Sequence, residues 1–116
     1  MELEYKYYEG NPSNIISTLK RSIGQYQRYY KYVKIGITAN PQRRCAEHGY
    51  RDITYCWERM VVVYGTTSIK NANKVEKDFI NGNKKMTNVW CGESPMTPNA
   101  RKYYAYLLLG NHRHYK

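Results

Sequence analysis

At 116 residues the chain has the size of one domain (1–116) with one modest core, and it is too short for two. Its 19 Lys and Arg outnumber 9 Asp and Glu, a formal charge of +10 that favours a polyanionic partner such as DNA, RNA, heparin or an acidic membrane surface. The N-terminal MELEYKYYEG lacks an apolar leader, and no run of roughly 18 apolar residues occurs, so neither a secretory signal nor a spanning helix is expected and no membrane role is assigned.

In chain order, Leu3, Tyr5 and Tyr7 alternate with Glu2, Glu4 and Lys6, the period of a strand, which ends at the turn Glu9-Gly10-Asn11-Pro12. Ser13 or Asn14 then caps a helix whose apolar residues Ile15, Ile16, Leu19, Ile23 and Tyr26 recur at helical spacing to about Gln27. Residues 29–38, YYKYVKIGIT, are β-branched and aromatic and read as a central strand. Pro41 suits the first position of a short helix through QRRCAEH, with Gly49 marking its exit. Residues 53–64 form a second β-prone run, and Ser68 precedes a helix packed by Ile69, Val75 and Phe79 and stopped by Gly82. After a Gly- and Pro-marked loop over 92–98, ARKYYAYLLLG reads as a last helix from about Asn99 to Gly110. The expected fold is α+β, a small three-stranded antiparallel or mixed sheet flanked by helices, with the first strand pairing with the second.

Fourteen tyrosines against one Phe and two Trp are unusual. Strand packing accounts for most of them, and a stacking platform for unpaired bases is the lesser use. Cys45, Cys56 and Cys91 are odd in number without CxxC spacing, which indicates no disulfide framework or zinc knuckle and suits a reducing, intracellular setting. The tail GNHRHYK, with His112, Arg113 and His114, reads as a basic, mobile terminus touching DNA backbone in preference to a metal tract.

The densest polar cluster lies between residues 32 and 48. Arg44 and His48 stand four apart, on one helix face, close to the strand carrying Lys34, so three phosphate-capable groups converge there. The bland alternative is a solvated basic helix face. Glu76 sits beside Val75 and three before Phe79, which points it along a core-facing groove, with an exposed ion pair to Lys74 or Lys77 as the alternative.

The segment YVKIGITANPQRRCAEH resembles the second half of the GIY-YIG nuclease signature. In that family a glycine is followed eight residues later by an arginine and four after that by a histidine, here Gly36, Arg44 and His48. A third strand and a helix bearing the metal-binding glutamate follow, matched by residues 53–64 and Glu76, so that the resemblance covers roughly residues 29–80. The second-motif tyrosine is replaced by Lys34, for which an electrostatic role is favoured. The first motif is absent as such; Tyr7 or Tyr8 is the preferred source of its hydroxyl over Tyr26, and Asn88 is chosen among Asn81, Asn83 and Asn88 for the family's late asparagine.

What the resemblance implies is a Mg²⁺-dependent (or Mn²⁺-dependent) endonuclease of double-stranded DNA, with the metal on Glu76, Arg44 neutralising phosphate charge and His48 orienting a tyrosine or relaying its proton. Lys31, Lys34, Arg43, Arg44, Arg101 and Lys102 are the expected DNA contacts. A double-strand cut would call for a homodimer, a tetramer or sequential nicking, and restriction, phage or viral roles are family-level expectations. The rivals are an inert nucleic-acid-binding protein with the same fold and an RNA-binding module that would not need Glu76.

Overall fold

The computed structural model describes residues 2–51, 55–82 and 101–113. In order the elements are β1 (Glu2–Glu9), α1 (Pro12–Tyr29), β2 (Tyr32–Thr38), α2 (Pro41–Arg51), β3 (Tyr55–Cys56), β4 (Arg59–Thr66), α3 (Ile69–Gly82), β5 (Tyr103–Gly110) and β6 (His112–Arg113). The four long strands form a mixed sheet in the order β1-β4-β5-β2, while β3 and β6 make a separate two-stranded ladder. The fold is α+β, as expected, with four strands in the main sheet where three were anticipated.

The largest difference lies at residues 103–110. The expected terminal helix is a strand, antiparallel both to β4 and to β2 and therefore internal to the sheet. Ala and Leu favour helices when judged singly. Both faces of this strand are covered, however: Tyr103, Ala105, Leu107 and Leu109 enter one apolar cluster, while Tyr106 and Leu108 enter the other. A short apolar run buried on two sides shows no alternation to betray it.

The pairing of the first two strands is also corrected. β1 runs parallel to β4, with Leu3 opposite Met60 and Tyr5 opposite Val62, and it does not touch β2 in the ladder. A parallel pair needs a crossover, and the chain from α1 to β3 supplies one. β2, expected to be central, is outermost among the described strands.

α1 and α3 pack together on one sheet face. Leu19 and Ile23 from α1 and Ala72, Val75 and Phe79 from α3 meet Val33, Ile35 and Ile37 of β2 and the inward residues of β4 and β5 there. α1 begins one residue earlier than anticipated, because Asn11, not Ser13 or Asn14, is the cap; its Oδ1 accepts the Ser13 amide at 3.0 Å, and Pro12 fills the first turn. Gly10, at φ 120°, turns the chain from β1 into that cap, and its carbonyl accepts the buried Tyr64 hydroxyl at 2.5 Å. The opposite face carries a smaller cluster of Trp57, Met60, Val62, Tyr106 and Leu108, against which Leu3, Tyr7, Tyr32, Tyr104 and Cys45 of α2 pack.

Candidate active site

The site is built on the pair Gly36 and Tyr106, which face one another across the β2–β5 ladder. A Cβ on Gly36 would stand 3.1 Å from Tyr106 Cε1 and closer still to the end of the ring, so the phenol lies directly across the glycine backbone. Only hydrogen leaves that space.

α2 starts immediately beyond β2. Thr38 Oγ1 accepts the Asn40 amide at 3.0 Å, Asn40 Oδ1 accepts the Arg43 amide at 3.2 Å, and the Asn40 carbonyl accepts the Arg44 amide at 3.1 Å. These bonds fix the direction of the helix and bring His48 over the sheet, where its Nε2 lies 3.0 Å from the Tyr106 hydroxyl. Arg44, one turn earlier, is partly buried and paired with Glu47 at 3.2 Å; Glu47 also holds the exposed Arg43 at 3.0 Å. Arg44 is therefore not a solvated face residue.

α3 is capped by Ser68, whose Oγ accepts the Asn71 amide at 3.2 Å. Val75 and Phe79 anchor it in the core and carry Glu76 inward to 2% exposure. Lys74 pairs instead with Asp78 at 3.4 Å. The exposed alternative for Glu76 is thereby removed. No buried side-chain nitrogen or oxygen lacks a hydrogen-bond partner among the described residues.

Tyr106 registers this arrangement electrostatically. Burial pushes its phenol well above the ordinary tyrosine value; Arg44 pulls in the other direction, and the carboxylates of Glu76 and Glu47 add to the rise. The hydroxyl is therefore a neutral O–H at neutral pH, able to accept one proton while donating another to His48. His48 is bonded to the hydroxyl of a residue the sequence did not point to, and the charges of Arg44 and Glu76 are felt at that phenol. The overlooked signals are the aromatic content and eight-residue length of YYAYLLLG, which suit a strand.

The remaining predicted residues divide. Lys34, half-buried and two residues before Gly36, shares its sheet face and is a diagonal neighbour of Tyr106. Tyr7 lies on β1 at the other side of the sheet, 3.3 Å from Lys102 Nζ and edge-on to Tyr104, and Tyr8 is exposed on the same strand. Neither is the tyrosine bonded to His48. Lys102 also reaches Glu9 at 3.1 Å, and the bonds to Tyr7 and then to Glu9 raise its pKa. Lys31 and Arg101 are exposed; Asn88, Cys91 and the loop over 92–98 lie outside the described residues. Cys45 and Cys56 are not joined in a disulfide. Among the described residues no group of three His, Cys, Asp or Glu gathers as a metal cage, and no helix is long and apolar enough to cross a membrane.

A neutral phenol bonded to an imidazole and within the electrostatic reach of a guanidinium and a buried carboxylate, in a chain of net charge +10, fits a domain of nuclease-like type. The chain belongs to the T5orf172 domain family, a phage-associated domain of the endonuclease type, with residues 15–90 matching. Arg44, His48 and Glu76 fall within the match, while β5 and Tyr106 lie beyond it. No curated protein and no solved structure matches the chain.

Proposed function

We propose that the protein is a DNA endonuclease of the GIY-YIG type, hydrolysing phosphodiester bonds in double-stranded DNA with Tyr106, Arg44, His48 and Glu76. The observation that carries this reading is the Tyr106 hydroxyl, 3.0 Å from His48 Nε2 and under the electrostatic influence of both Arg44 and Glu76.

With the His48 proton on Nδ1, Nε2 accepts from the tyrosine. An attacking water passes its proton to the Tyr106 oxygen as the Tyr106 proton moves to His48 Nε2, and the water oxygen bonds to phosphorus. The bond from phosphorus to the 3′ oxygen breaks, the leaving oxygen takes a proton from solvent, and the His48 imidazolium releases its extra proton to solvent, which restores the starting state. Arg44, once a phosphate competes with Glu47 for it, neutralises the charge that develops on the non-bridging oxygens. Lys34 adds positive charge on the same face.

Glu76 fits Mg²⁺ or Mn²⁺. Mg²⁺ commonly rests on one or two carboxylates plus substrate phosphate and keeps its waters, so a single buried Glu beside a phosphate site suffices. When bound, the ion would supply Lewis-acid stabilisation of the phosphate and the leaving oxygen. A homodimer acting on a palindrome and a place inside an infected host cell accompany this reading as expectations.

The test is nicking of supercoiled plasmid with Mg²⁺, Mn²⁺ or EDTA by the wild type and by Arg44→Ala and Glu76→Gln. Metal-dependent nicking lost in both variants supports the proposal. DNA binding with no nicking in any metal would instead favour an inert binding protein, the reading that Lys34 in place of the second motif tyrosine supports.

A further inference from the structure

The sheet face that holds Tyr106 continues away from His48 as a set of tyrosines that the cleavage chemistry does not use. Tyr5 on β1 is opposite Val62, Val62 is opposite Tyr106, and Tyr106 is opposite Gly36, so all four form one row across the sheet. Residues directly opposite in a sheet point to the same face. Tyr5 thus stands two strand spacings, roughly 10 Å, from Tyr106.

Around it lie Tyr7 and Tyr104, packed edge to face with ring centres 5.6 Å apart. Lys102 Nζ sits 4.7 Å from the Tyr7 ring centre and 5.6 Å from that of Tyr104, held in place by Glu9. Burial, then the neighbouring Tyr104, Cys45 and Tyr7, push the Tyr5 phenol up. Nevertheless Tyr5 remains 48% exposed. A large aromatic open to solvent on the same sheet face as a tyrosine pair that carries an ammonium is poorly explained by core packing. It suits a flat, weakly polar ring attached to an anion.

We propose that Tyr5, Tyr7 and Tyr104, with Lys102, form a stacking subsite for an unpaired base of the DNA strand whose phosphate lies at Tyr106. Stacking on a tyrosine accepts any base, because every base has a π face, and Lys102 meets the phosphate next to it. The preferred substrate is therefore DNA with a single-stranded stretch beside the cut, such as a flap, fork or overhang, with little base selectivity. The proposal rests on the nuclease reading for the position of the cut, but not for binding.

Binding is measured by fluorescence anisotropy in EDTA, where no cleavage intervenes, using a labelled duplex with and without a short single-stranded overhang. The wild type is expected to bind the overhang substrate at least about fivefold more tightly, consistent with one stacked base. Tyr5→Ala combined with Tyr104→Ala abolishes that preference but leaves duplex affinity within about twofold, whereas Tyr5→Phe retains it. Tyr5→Ala alone, at an exposed position, lowers the preference without touching the packed rings. Equal binding of both substrates by the wild type, or a preference that survives the double substitution, overturns the proposal. An overhang preference in a protein that cuts neither plasmid nor the overhang substrate in any metal would refute the nuclease reading while the subsite stands.

Discussion

Tyr106→Phe removes one oxygen from a side chain that is 4% exposed and leaves the ring on Gly36. What disappears is the 3.0 Å hydrogen bond to His48. A typical buried bond contributes about 1 kcal/mol net, and stranding part of the imidazole raises the loss to about 1–2 kcal/mol, a melting shift of roughly 4–12 °C. The protein should still be folded at 25 °C. Its nicking rate should nevertheless fall by about 10²-fold to 10⁴-fold, the range for losing a proton-transfer group, while DNA affinity in EDTA changes little. The assay is single-turnover nicking of plasmid with Mg²⁺, run beside Tyr7→Phe and Tyr8→Phe, which should keep near-normal rates. A Tyr106→Phe protein cutting at the wild-type rate, or Tyr7→Phe losing activity, would show that the water is activated from β1 and refute the assignment.

Gly36→Ala forces the Tyr106 ring away from the strand; nicking should be lost together with about 1–3 kcal/mol of stability, measured by urea unfolding. Phe79→Ala, at 1% exposure between α3 and the sheet, should cost about 3–5 kcal/mol by the same measurement. Glu9→Gln releases Lys102 and should tighten DNA binding by roughly twofold at low salt, with a steeper salt dependence. The Arg59 hydrogen bond holds the Glu4 carboxyl below its ordinary value, and Arg59 is in turn bonded to Tyr30. Its folded pKa being depressed, the stabilisation is present above the ordinary carboxylate value, about 4.3, and is lost as pH falls from there through the folded value. Acid unfolding curves of Glu4→Gln and the wild type should therefore converge at low pH.

The helices were legible where apolar spacing is strong. Leu19 and Ile23, then Val75 and Phe79, mark the buried faces of α1 and α3, and Pro41 after Thr38-Ala39-Asn40 marks the start of α2. The positions of Arg44 and His48 on α2 and of Glu76 on α3 followed from those elements, so the helices that carry them could be anticipated. Their common partner could not. Tyr106 lies on a strand whose Ala and Leu content imitates a helix because no polar face is left to break the run. Likewise nothing local marks Tyr5 as the neighbour of Val62, since a parallel pairing across more than fifty residues is recorded only in which faces are buried. Asn11 was passed over as cap because Pro12 was assigned to the turn, whereas it is the first residue of the helix.

β5 joins β4 to β2 from the middle of the sheet, although in sequence it follows both of them. Before residues 103–110 leave the ribosome, β1 and β4 have one another, but β2 has no strand of the main sheet to join them through. Closure of the sheet is thus a late, long-range event of the slow-folding kind. The hydroxyl at His48 arrives in the same step. A nascent chain of this protein carries Arg44, His48 and Glu76 before that moment, but it assembles the complete site only when β5 slides into place.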